Sequence, residues 1–354
     1  MSIYLDYASL TPIDKRVKKE MKKYETEDYM NPSALYASGV AAKKAVTEAR
    51  ERIARFLHAH PDEIIFTSGG TESNHLVFKK FQGKKIIVSA IEHSSIINCG
   101  NIVKVSVHEN GIINLKELEK AITTETALVS VMMVNNEIGT VEPISEIAKI
   151  VRDAGKKFNT KIFFHTDASQ AMYLPLHVEK LGVDFMTLDG SKMYGPRGMG
   201  MLYIKRGTVE IERAGTENVP GIMGFATALE VADKMRDIEV KKMVELKEFF
   251  WNELIKINSD IKINGSLENS VSNILNISIP NIDNEFFILQ LDAKGIECST
   301  KSACLHDEDE SYVLRAIGAN SKNSVRFSFG RTTSKSDVKK AAKVIAKILS
   351  STYN

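Results

Sequence analysis

Short apolar segments alternate with longer amphipathic segments between residues 60 and 205. This alternation of strand-like and helix-like patterns predicts an α/β fold. The continuous apolar segment ALVSVMMV is typical of a strand in a mainly parallel sheet whose two faces are covered by helices. We therefore expect a large domain with a mainly parallel sheet of seven strands. The predicted strands cover residues 63–67, 85–89, 102–107, 127–134, 161–166, 183–188 and 200–204.

Helical patterns precede and follow this block. Residues 33–57, 143–158 and 221–257 have helical spacing, and Pro143 suits a first helical turn. A turn at Asn264 and Gly265 then leads to a strand at 273–279 and a closing helix at 336–349. The predicted large domain spans residues 12–258. A smaller α+β domain would combine residues 1–11 with residues 259–354.

The composition mainly excludes certain partners, membrane segments and metal sites. The chain is 43% hydrophobic and 26% charged, and its 47 Lys and Arg residues nearly balance 45 Asp and Glu residues, so we expect no nucleic-acid partner. Asp6 interrupts the apolar core that a signal peptide needs, and the apolar runs are too short to span a bilayer. The 3 cysteines form neither a disulfide framework nor paired zinc ligands. We therefore expect a cytoplasmic protein with no membrane contact and no bound metal.

A glycine-rich turn follows the first predicted strand of the sheet. The sequence SGGTES, which contains Gly70 and Thr71, comes after EIIFT and opens a helix. Backbone N–H groups at a helix N-terminus favour a phosphate group. A plain capped helix explains the same pattern, so this motif alone leaves both interpretations open.

A lysine lies in a second glycine-rich loop, TLDGSKMYGPRG, between two apolar strands. In such a loop Lys192 is placed to form a Schiff base, although a surface lysine in a turn is the alternative. The strand KIFFHT ends at Asp167, where a carboxylate could pair with a pyridinium nitrogen. Ligands of open α/β sheets bind beyond the carboxyl ends of strands, and Thr71, Asp167 and Lys192 all lie at such ends.

Further candidates lie at strand ends and in a polar segment. His93 could cover a cofactor ring and move protons, or it could be a structural hydrogen-bonding residue. Asn136 is either a turn former or a donor into the same crevice. Arg326 lies on an alternating strand, where its guanidinium could bind a substrate carboxylate with two hydrogen bonds. Cys304 precedes a short acidic segment that indicates a mobile loop, and an incidental exposed cysteine is the alternative.

Together these segments resemble the NifS/IscS branch of the cysteine desulfurases, within the fold-type I, class-V aminotransferase superfamily of pyridoxal-phosphate (PLP) enzymes. The matching motifs occur in the same order over nearly the whole chain. The resemblance implies a homodimer with the fold-type I architecture and L-cysteine as the substrate. The motifs are YLDYA, NPS, SGGTES, IEH, VNNEIGT, HTDASQ, SKMYGPRG, AGTENVP, SAC, SYVLRAIG and VRFSFGR.

The resemblance also implies a role for each matching residue around the cofactor. Lys192 would bind PLP as a Schiff base, Asp167 would pair with the pyridine nitrogen, and His93 would stack on the ring. Thr216 would reach the phosphate bound by the other subunit of the dimer. The remaining implied cofactor contacts are Gly70, Thr71, Asn136, Gln170 and Ser191.

The substrate contacts are implied in the same way. Arg326, helped by Asn31 and Asn136, would bind the carboxylate of L-cysteine. Cys304 would attack the substrate sulfur, which leaves a persulfide on the enzyme and releases L-alanine. A protein acceptor would then take the sulfur for iron–sulfur cluster assembly or for thiolation.

Two features depart from the family pattern. Relatives have Ser-x-His-Lys where this chain has Asp189-Gly190-Ser191-Lys192. An ionised Asp189 cannot donate to a phosphate and would repel it, so either Ser191 supplies the hydroxyl or Asp189 points away. The segment before Thr216 lacks the glycine-rich GGGxE motif of relatives and is shorter by roughly a dozen residues.

Three functions remain open at this point. The retained lysine, histidine, aspartate, cysteine and arginine favour an active cysteine desulfurase. Asp189 and the missing glycine-rich segment favour a catalytically weakened homologue that acts as a dimeric scaffold or regulator. A lyase acting on cysteine or selenocysteine, in which Cys304 is less central, is the third alternative.

Overall fold

The computed structural model describes residues 2–300 and 310–352. The predicted nucleophile Cys304 therefore lies outside the described residues. The strands are β1 (Ile3–Tyr4), β2 (Ile64–Thr67), β3 (Lys85–Ser89), β4 (Ile102–Val105), β5 (Thr126–Ser130), β6 (Phe163–Asp167), β7 (Phe185–Asp189), β8 (Gly200–Ile204), β9 (Lys262–Ile263), β10 (Ile274–Ser278), β11 (Ile296–Glu297) and β12 (Ser324–Ser328). The helices are α1 (Lys15–Thr26), α2 (Ala37–Leu57), α3 (Gly70–Lys80), α4 (Ser94–Ile97), α5 (Leu115–Ala121), α6 (Ile144–Phe158), α7 (Val178–Leu181), α8 (Val219–Ile257), α9 (Asn284–Asp292), α10 (Tyr312–Ala316) and α11 (Lys335–Thr352).

The central sheet has seven strands in the order β2-β8-β7-β6-β5-β3-β4. Neighbouring strands from β7 to β4 pair in parallel, whereas β8 is antiparallel to both β2 and β7. The mainly parallel, seven-stranded α/β sheet expected from the sequence is therefore confirmed. Because only β8 runs in the opposite direction, the carboxyl ends of the other six strands lie along one edge of the sheet.

The predicted strand 127–134 is too long, because β5 ends at Ser130. The backbone continues beside β6, where the N–H of Met133 donates to the carbonyl of Asp167 at 2.8 Å. The chain then turns at Asn135, whose side-chain oxygen accepts from the N–H groups of Glu137 and Ile138 at 2.8 and 3.0 Å. This polar turn ends the strand and places Asn136 at the sheet edge.

Two predicted helices start two or more residues away from the expected position, whereas α6 and α11 start within one residue of it. Helix α2 begins at Ala37 rather than at residue 33, because Asn31 accepts from Ser33 N and forms a turn there. Helix α8 begins slightly earlier than predicted, at Val219, where the Asn218 side chain accepts from Gly221 N at 3.1 Å. The Asn218 side chain thus caps α8, whereas the asparagine turn at Asn31 lies before α2, whose N-cap Tyr36 makes no side-chain cap bond.

The second sheet is antiparallel and has the strand order β12-β10-β9. The N-terminal strand β1 pairs in parallel with β11, and Ser328 N donates to the Leu5 carbonyl at 2.7 Å. Helix α8 packs against α1, α2 and α11 and so connects the two sheet regions. The first residues of the chain thus lie with the C-terminal strands, whereas the domain boundaries near residues 11 and 258 stay a prediction.

No helix in the described part of the chain is long and apolar enough to cross a membrane. Within residues 2–300 and 310–352, no group of His, Cys, Asp and Glu side chains could hold a metal ion.

Candidate active site

Residues that follow several parallel strands meet in one cavity of about 140 Å³ at the carboxyl edge of the central sheet. Most of the cofactor residues expected from the sequence line this cavity. Asn74, Ser169 and Asp189 line it as well, although no cofactor contact was predicted for them. The predicted residues brought together here are Gly70, Thr71, His93, Asn136, Asp167, Gln170 and Lys192.

Asp167 ends β6 and is 7% exposed. Its Oδ2 accepts from Asn74 Nδ2 at 2.8 Å, and its Oδ1 accepts from Ser169 N at 2.9 Å. His165, two residues earlier on β6, is fully buried, and burial lowers its pKa, so its ring is neutral beside this carboxylate at neutral pH.

Asn74 links Asp167 to His93. Besides donating to Asp167, Asn74 Nδ2 donates to Ser95 Oγ at 3.0 Å. His93 Nδ1 lies 2.8 Å from the same Ser95 Oγ and accepts from Ser95 N at 3.2 Å, which caps α4. An accepting Nδ1 places the ring proton on Nε2 in the neutral imidazole. Asn74 was not among the predicted residues, although it lies one helical turn after Gly70.

Glu92 is a buried acid directly before His93. Its Oε1 accepts from Met132 N at 2.7 Å, and Met132 lines the cavity. Burial raises the pKa of Glu92 well above its usual range, and the nearby charge of Asp167 acts in the same direction. A neutral Glu92 therefore supports the wall of the cavity without adding charge next to Asp167. The sequence analysis also did not identify this residue.

The N-terminal segment holds the loop that carries Lys192. Lys192 Nζ donates to the Ser9 carbonyl, and Gln170 Nε2 donates to the Ala8 carbonyl at 2.7 Å. Thr11 Oγ1 donates to the Ser191 carbonyl at 2.8 Å and accepts from Tyr194 N at 2.8 Å. Residues 8, 9 and 11 thus hold the lysine, the glutamine and the loop around Ser191 through hydrogen bonds. Backbone carbonyls have no sequence signal, so this role was not predicted.

The predicted phosphate turn has an unexpected acceptor. Asp189 Oδ2 accepts from Gly70 N, the first residue of α3, at 3.1 Å. Asp189 Oδ1 accepts from Ser191 N at 2.8 Å and from Ser191 Oγ at 2.6 Å. Of the two alternatives given above, Asp189 does not point away, and the Ser191 hydroxyl is engaged by Asp189 itself.

A glycine allows the close packing of this turn. A Cβ at Gly200 would lie 2.7 Å from Gly69 Cα and 2.7 Å from the Leu188 carbonyl. Only glycine at the start of β8 therefore lets the turn before α3 approach the end of β7. This approach brings Asp189 within hydrogen-bond distance of Gly70.

Arg326 lies next to the cavity and is 1% exposed. Its Nη2 forms an ion pair with Asp6 Oδ1 at 2.7 Å, and its Nη1 donates to the Asn136 carbonyl at 2.8 Å. The contact with Asn136 ties Arg326 to the cavity wall. Asp6 is a second partner that the sequence analysis did not identify.

Four predicted residues among the described ones do not line the cavity: Ser191 and Arg326 are bonded to residues of its wall, whereas Asn31 and Thr216 lie elsewhere. Asn31 is exposed in the turn before α2. Thr216 lines a separate cavity of about 440 Å³ together with Arg50, Ser68 and Arg213. Their predicted roles, like that of Cys304, therefore stay predictions.

The shortened segment before Thr216 contacts the first turn of α3. Arg213 Nε lies 3.2 Å from Glu72 Oε1, and Glu72 Oε2 accepts from Ser68 N at 2.5 Å. Burial alone would raise the pKa of Glu72, but the hydrogen bonds from Ser68 and Arg213 hold it below its usual range. Arg213 thus fixes the shortened segment beside the phosphate turn.

Comparisons with known proteins agree on one family. Residues 3–211 and 208–341 match the family model described as aminotransferase class-V. The cysteine desulfurase IscS of Dictyoglomus turgidum is 39% identical over 377 residues, which cover 98% of this chain and 94% of the relative. The cysteine desulfurase IscS of Methanosarcina thermophila is 36% identical over 384 residues, with 100% of this chain and 93% of the relative covered.

Solved structures give the same result. A structure described as a NifS-like protein superposes with a TM-score of 0.91 at 32% identity and covers 99% of this chain and 100% of its own. A NifS-like protein from Rickettsia africae superposes with a TM-score of 0.88 at 31% identity, with 99% and 100% covered. The chain therefore belongs to the aminotransferase class-V family and, within it, to the NifS/IscS group of cysteine desulfurases.

Proposed function

We propose that this protein is a PLP-dependent cysteine desulfurase, which converts L-cysteine to L-alanine and accepts the sulfur on Cys304 as a persulfide. The observation that carries the proposal is the common cavity of Lys192, Asp167 and His93. An amine, a hydrogen-bonded carboxylate and a flat imidazole around one cavity are the groups that a pyridine aldehyde cofactor requires. Membership of the family favours this function over the scaffold and lyase alternatives.

The ring end of the cavity fits the cofactor. Asn74 Oδ1 and Ser169 Oγ line the cavity and are buried without a hydrogen-bond partner among the described residues. Asp167 is held by two N–H donors at the end of β6, so its carboxylate is placed to pair with a protonated pyridine nitrogen. Bound PLP would supply an electron sink for the bonds at the substrate's α and β carbons.

Each residue of the ring end then has a definite task. Lys192 would bind the cofactor covalently and move a proton when the substrate replaces it. His93, oriented by Ser95, would cover the ring and exchange a proton through Nε2. Gln170, held by the Ala8 carbonyl, would orient the ring hydroxyl. Asn136 would contact the cofactor or the substrate beside it.

Arg326 would bind the substrate carboxylate, with Asn31 assisting. The guanidinium is already held by Asp6 and by the Asn136 carbonyl, so it is fixed in place before the substrate binds. A substrate carboxylate would compete with Asp6 for this cation. Substrate binding would therefore require Asp6 to lose its hydrogen bond with Arg326.

Sulfur transfer would follow at Cys304. Its thiolate would attack the substrate sulfur and form a sulfur–sulfur bond, while the bond from that sulfur to the substrate β carbon would break with its electron pair left on the carbon side, so that the sulfur would remain on the enzyme as a persulfide. L-alanine would leave after the β carbon gains a proton in place of the sulfur and the α carbon regains the proton that it lost. An acceptor protein for iron–sulfur cluster assembly or thiolation would then take the sulfur. We further propose a cytoplasmic homodimer, in which Thr216 of each subunit reaches the phosphate bound by the other.

The test is the absorption spectrum of the purified full-length protein before and after L-cysteine is added. We expect a band of lysine-bound cofactor that changes on addition, and no such band in Lys192→Ala. Cys304→Ser should keep the band but form no persulfide. A wild-type protein that binds no PLP contradicts the cofactor assignment, and undiminished persulfide on Cys304→Ser contradicts the nucleophile.

A further inference from the structure

The Asp189 carboxylate occupies the position in which the phosphate turn is expected to hold an anion. It accepts from Gly70 N at the start of α3 and from both the N–H and the hydroxyl of Ser191. All these donors are neutral. The carboxylate is therefore the anion of this helix N-terminus, and it is supplied by the chain itself.

A cofactor phosphate needs the same donors. A phosphate ester carries about 1.5 to 2 negative charges at neutral pH and accepts hydrogen bonds without donating them, so at Gly70 and Ser191 it would compete with Asp189. A bound phosphate must therefore displace the carboxylate from Gly70 and Ser191 or lie beside it. In either case the binding loses donors or gains repulsion between like charges.

The other groups near the turn provide few free donors for a phosphate in place of those that Asp189 engages. Lys192 Nζ donates to the Ser9 carbonyl, and Arg213 forms an ion pair with Glu72. Ser169 Oγ is a buried hydroxyl without a hydrogen-bond partner among the described residues, and it lies close to this turn, since a Cβ at Gly70 would lie 3.1 Å from it. The hydroxyls of Ser169 and Thr71 are neutral, so they do not offset the negative charge of Asp189.

We infer that Asp189 is a specificity-determining residue that weakens the contribution of the phosphate to cofactor binding. The site then distinguishes PLP from unphosphorylated pyridoxal less than a site with a neutral side chain at this position would. This inference rests on the proposed function, since it assumes that the cofactor is bound at Lys192. It concerns only the phosphate end of the site.

The experiment compares PLP and pyridoxal as probes. Each is titrated into cofactor-free full-length protein, and binding is followed by the absorption of the lysine-bound form. We expect Asp189→Asn to raise the affinity for PLP at least about tenfold while the affinity for pyridoxal changes by less than about threefold. Asp189→Ser, which supplies a hydroxyl donor, should change the ratio of the two affinities in the same direction.

The control is Asp62→Asn, which removes one negative charge from an exposed ion pair with Arg206, away from the cavity. It should leave both affinities within about twofold, because exposed charges are screened by salt. An unchanged or lower PLP-to-pyridoxal ratio in Asp189→Asn and Asp189→Ser overturns the inference.

Wild-type protein provides a measurement that does not depend on the folding of a variant. A PLP affinity less than about 100-fold above that for pyridoxal supports the inference, and a larger ratio contradicts it. If both probes bind at Lys192 but the ratio fails the test, only this inference is wrong. If neither probe binds at Lys192 in any protein, the proposed function fails with it.

Discussion

Two aspartates end neighbouring strands of the sheet in nearly the same way. Asp167 ends β6 in the sequence D-A-S, and Asp189 ends β7 in the sequence D-G-S. In each, Oδ1 accepts from the N–H two residues later, and Oδ2 accepts from a donor on α3. The donor for Asp167 is the Asn74 side chain inside the helix, whereas the donor for Asp189 is the backbone of Gly70 at its start.

The difference in the donor on α3 separates the two functions. A carboxylate near Asn74 provides negative charge where a pyridinium nitrogen would be stabilised by it. A carboxylate at the first N–H of α3 occupies the position in which a phosphate would bind, and it would repel that phosphate. The same local turn therefore supports the cofactor at one end of the cavity and competes with it at the other.

The largest expected effect is at the supporting aspartate. Asp167→Asn keeps the volume and the acceptor for Ser169 N but removes the charge that would hold the ring nitrogen protonated. We expect the rate of persulfide and alanine formation per bound PLP to fall at least about 100-fold. The measurement is single-turnover sulfur release from L-cysteine at equal cofactor occupancy.

Asp184→Asn is the matched control. Asp184 is also a buried aspartate, but its Oδ2 accepts from Phe164 N at 2.8 Å and from Arg152 at 2.9 Å, outside the cavity. Its replacement should lower the free energy of unfolding by about 1–3 kcal/mol and leave the rate per bound PLP within about threefold. Equal rate losses in the two variants would contradict a specific task for Asp167.

Much of this site could be predicted from the sequence because the topology of the sheet places strand ends together. Short apolar strands followed by Thr71, His93, Asp167 and Lys192 were sufficient to place all four residues at one edge. The direction in which Asp189 points could not be predicted, because it depends on how closely Gly200 lets α3 approach β7.

Other residues were missed for different physical reasons. Asn74 and Glu92 are single polar residues within apolar or helical patterns, where their hydrogen bonds have no signature in the spacing. Ala8 and Ser9 act through backbone carbonyls, which any residue has. The predicted task of Thr216 depends on a second subunit, so the geometry of one chain does not reveal it.

Glu142 is a buried carboxylate that has fewer hydrogen-bond donors than Asp167 or Asp189. It therefore tests what the hydrogen bonds contribute at the two aspartates. Glu142 Oε2 accepts from Ile113 N at 3.0 Å, Oε1 is buried without a partner among the described residues, and burial raises the pKa to about 8. In the unfolded chain the pKa of Glu142 is near 4.5. Between pH 4.5 and about pH 8, Glu142 must therefore take up a proton when the chain folds. The stability that the protonated Glu142 contributes is complete below pH 4.5 and is lost as the pH rises toward about 8.

Glu142→Gln mimics the protonated form at every pH. We expect it to unfold like wild type at about pH 4.5 and to be more stable by about 1–3 kcal/mol at about pH 7.5, as measured by urea unfolding. Glu146→Gln, an exposed change on α6, should leave the pH dependence unaltered. A parallel pH dependence in wild type and Glu142→Gln would show that Glu142 is ionised when folded.

The smallest expected effect concerns the donor that distinguishes Asp167 from Asp189. Asn74→Ala removes the amide that donates to Asp167 Oδ2 and to Ser95 Oγ, which orients His93. Since a hydrogen bond to a charged group contributes about 1.5–3 kcal/mol, we expect kcat to fall about tenfold with KM within about twofold. His75→Ala, an exposed change at the next position of α3, should leave both constants within about twofold.

The pair Asn74→Ala and Asp167→Asn then shows whether the two residues act as a unit. If Asn74 works only by holding the carboxylate, its removal should cost little more once the charge of Asp167 is gone, and the double variant should resemble Asp167→Asn. If the two losses multiply, Asn74 acts chiefly through Ser95 and His93. In that case the charge at the ring end depends on β6 alone, and the donor from α3 matters only at the phosphate end, where it binds Asp189.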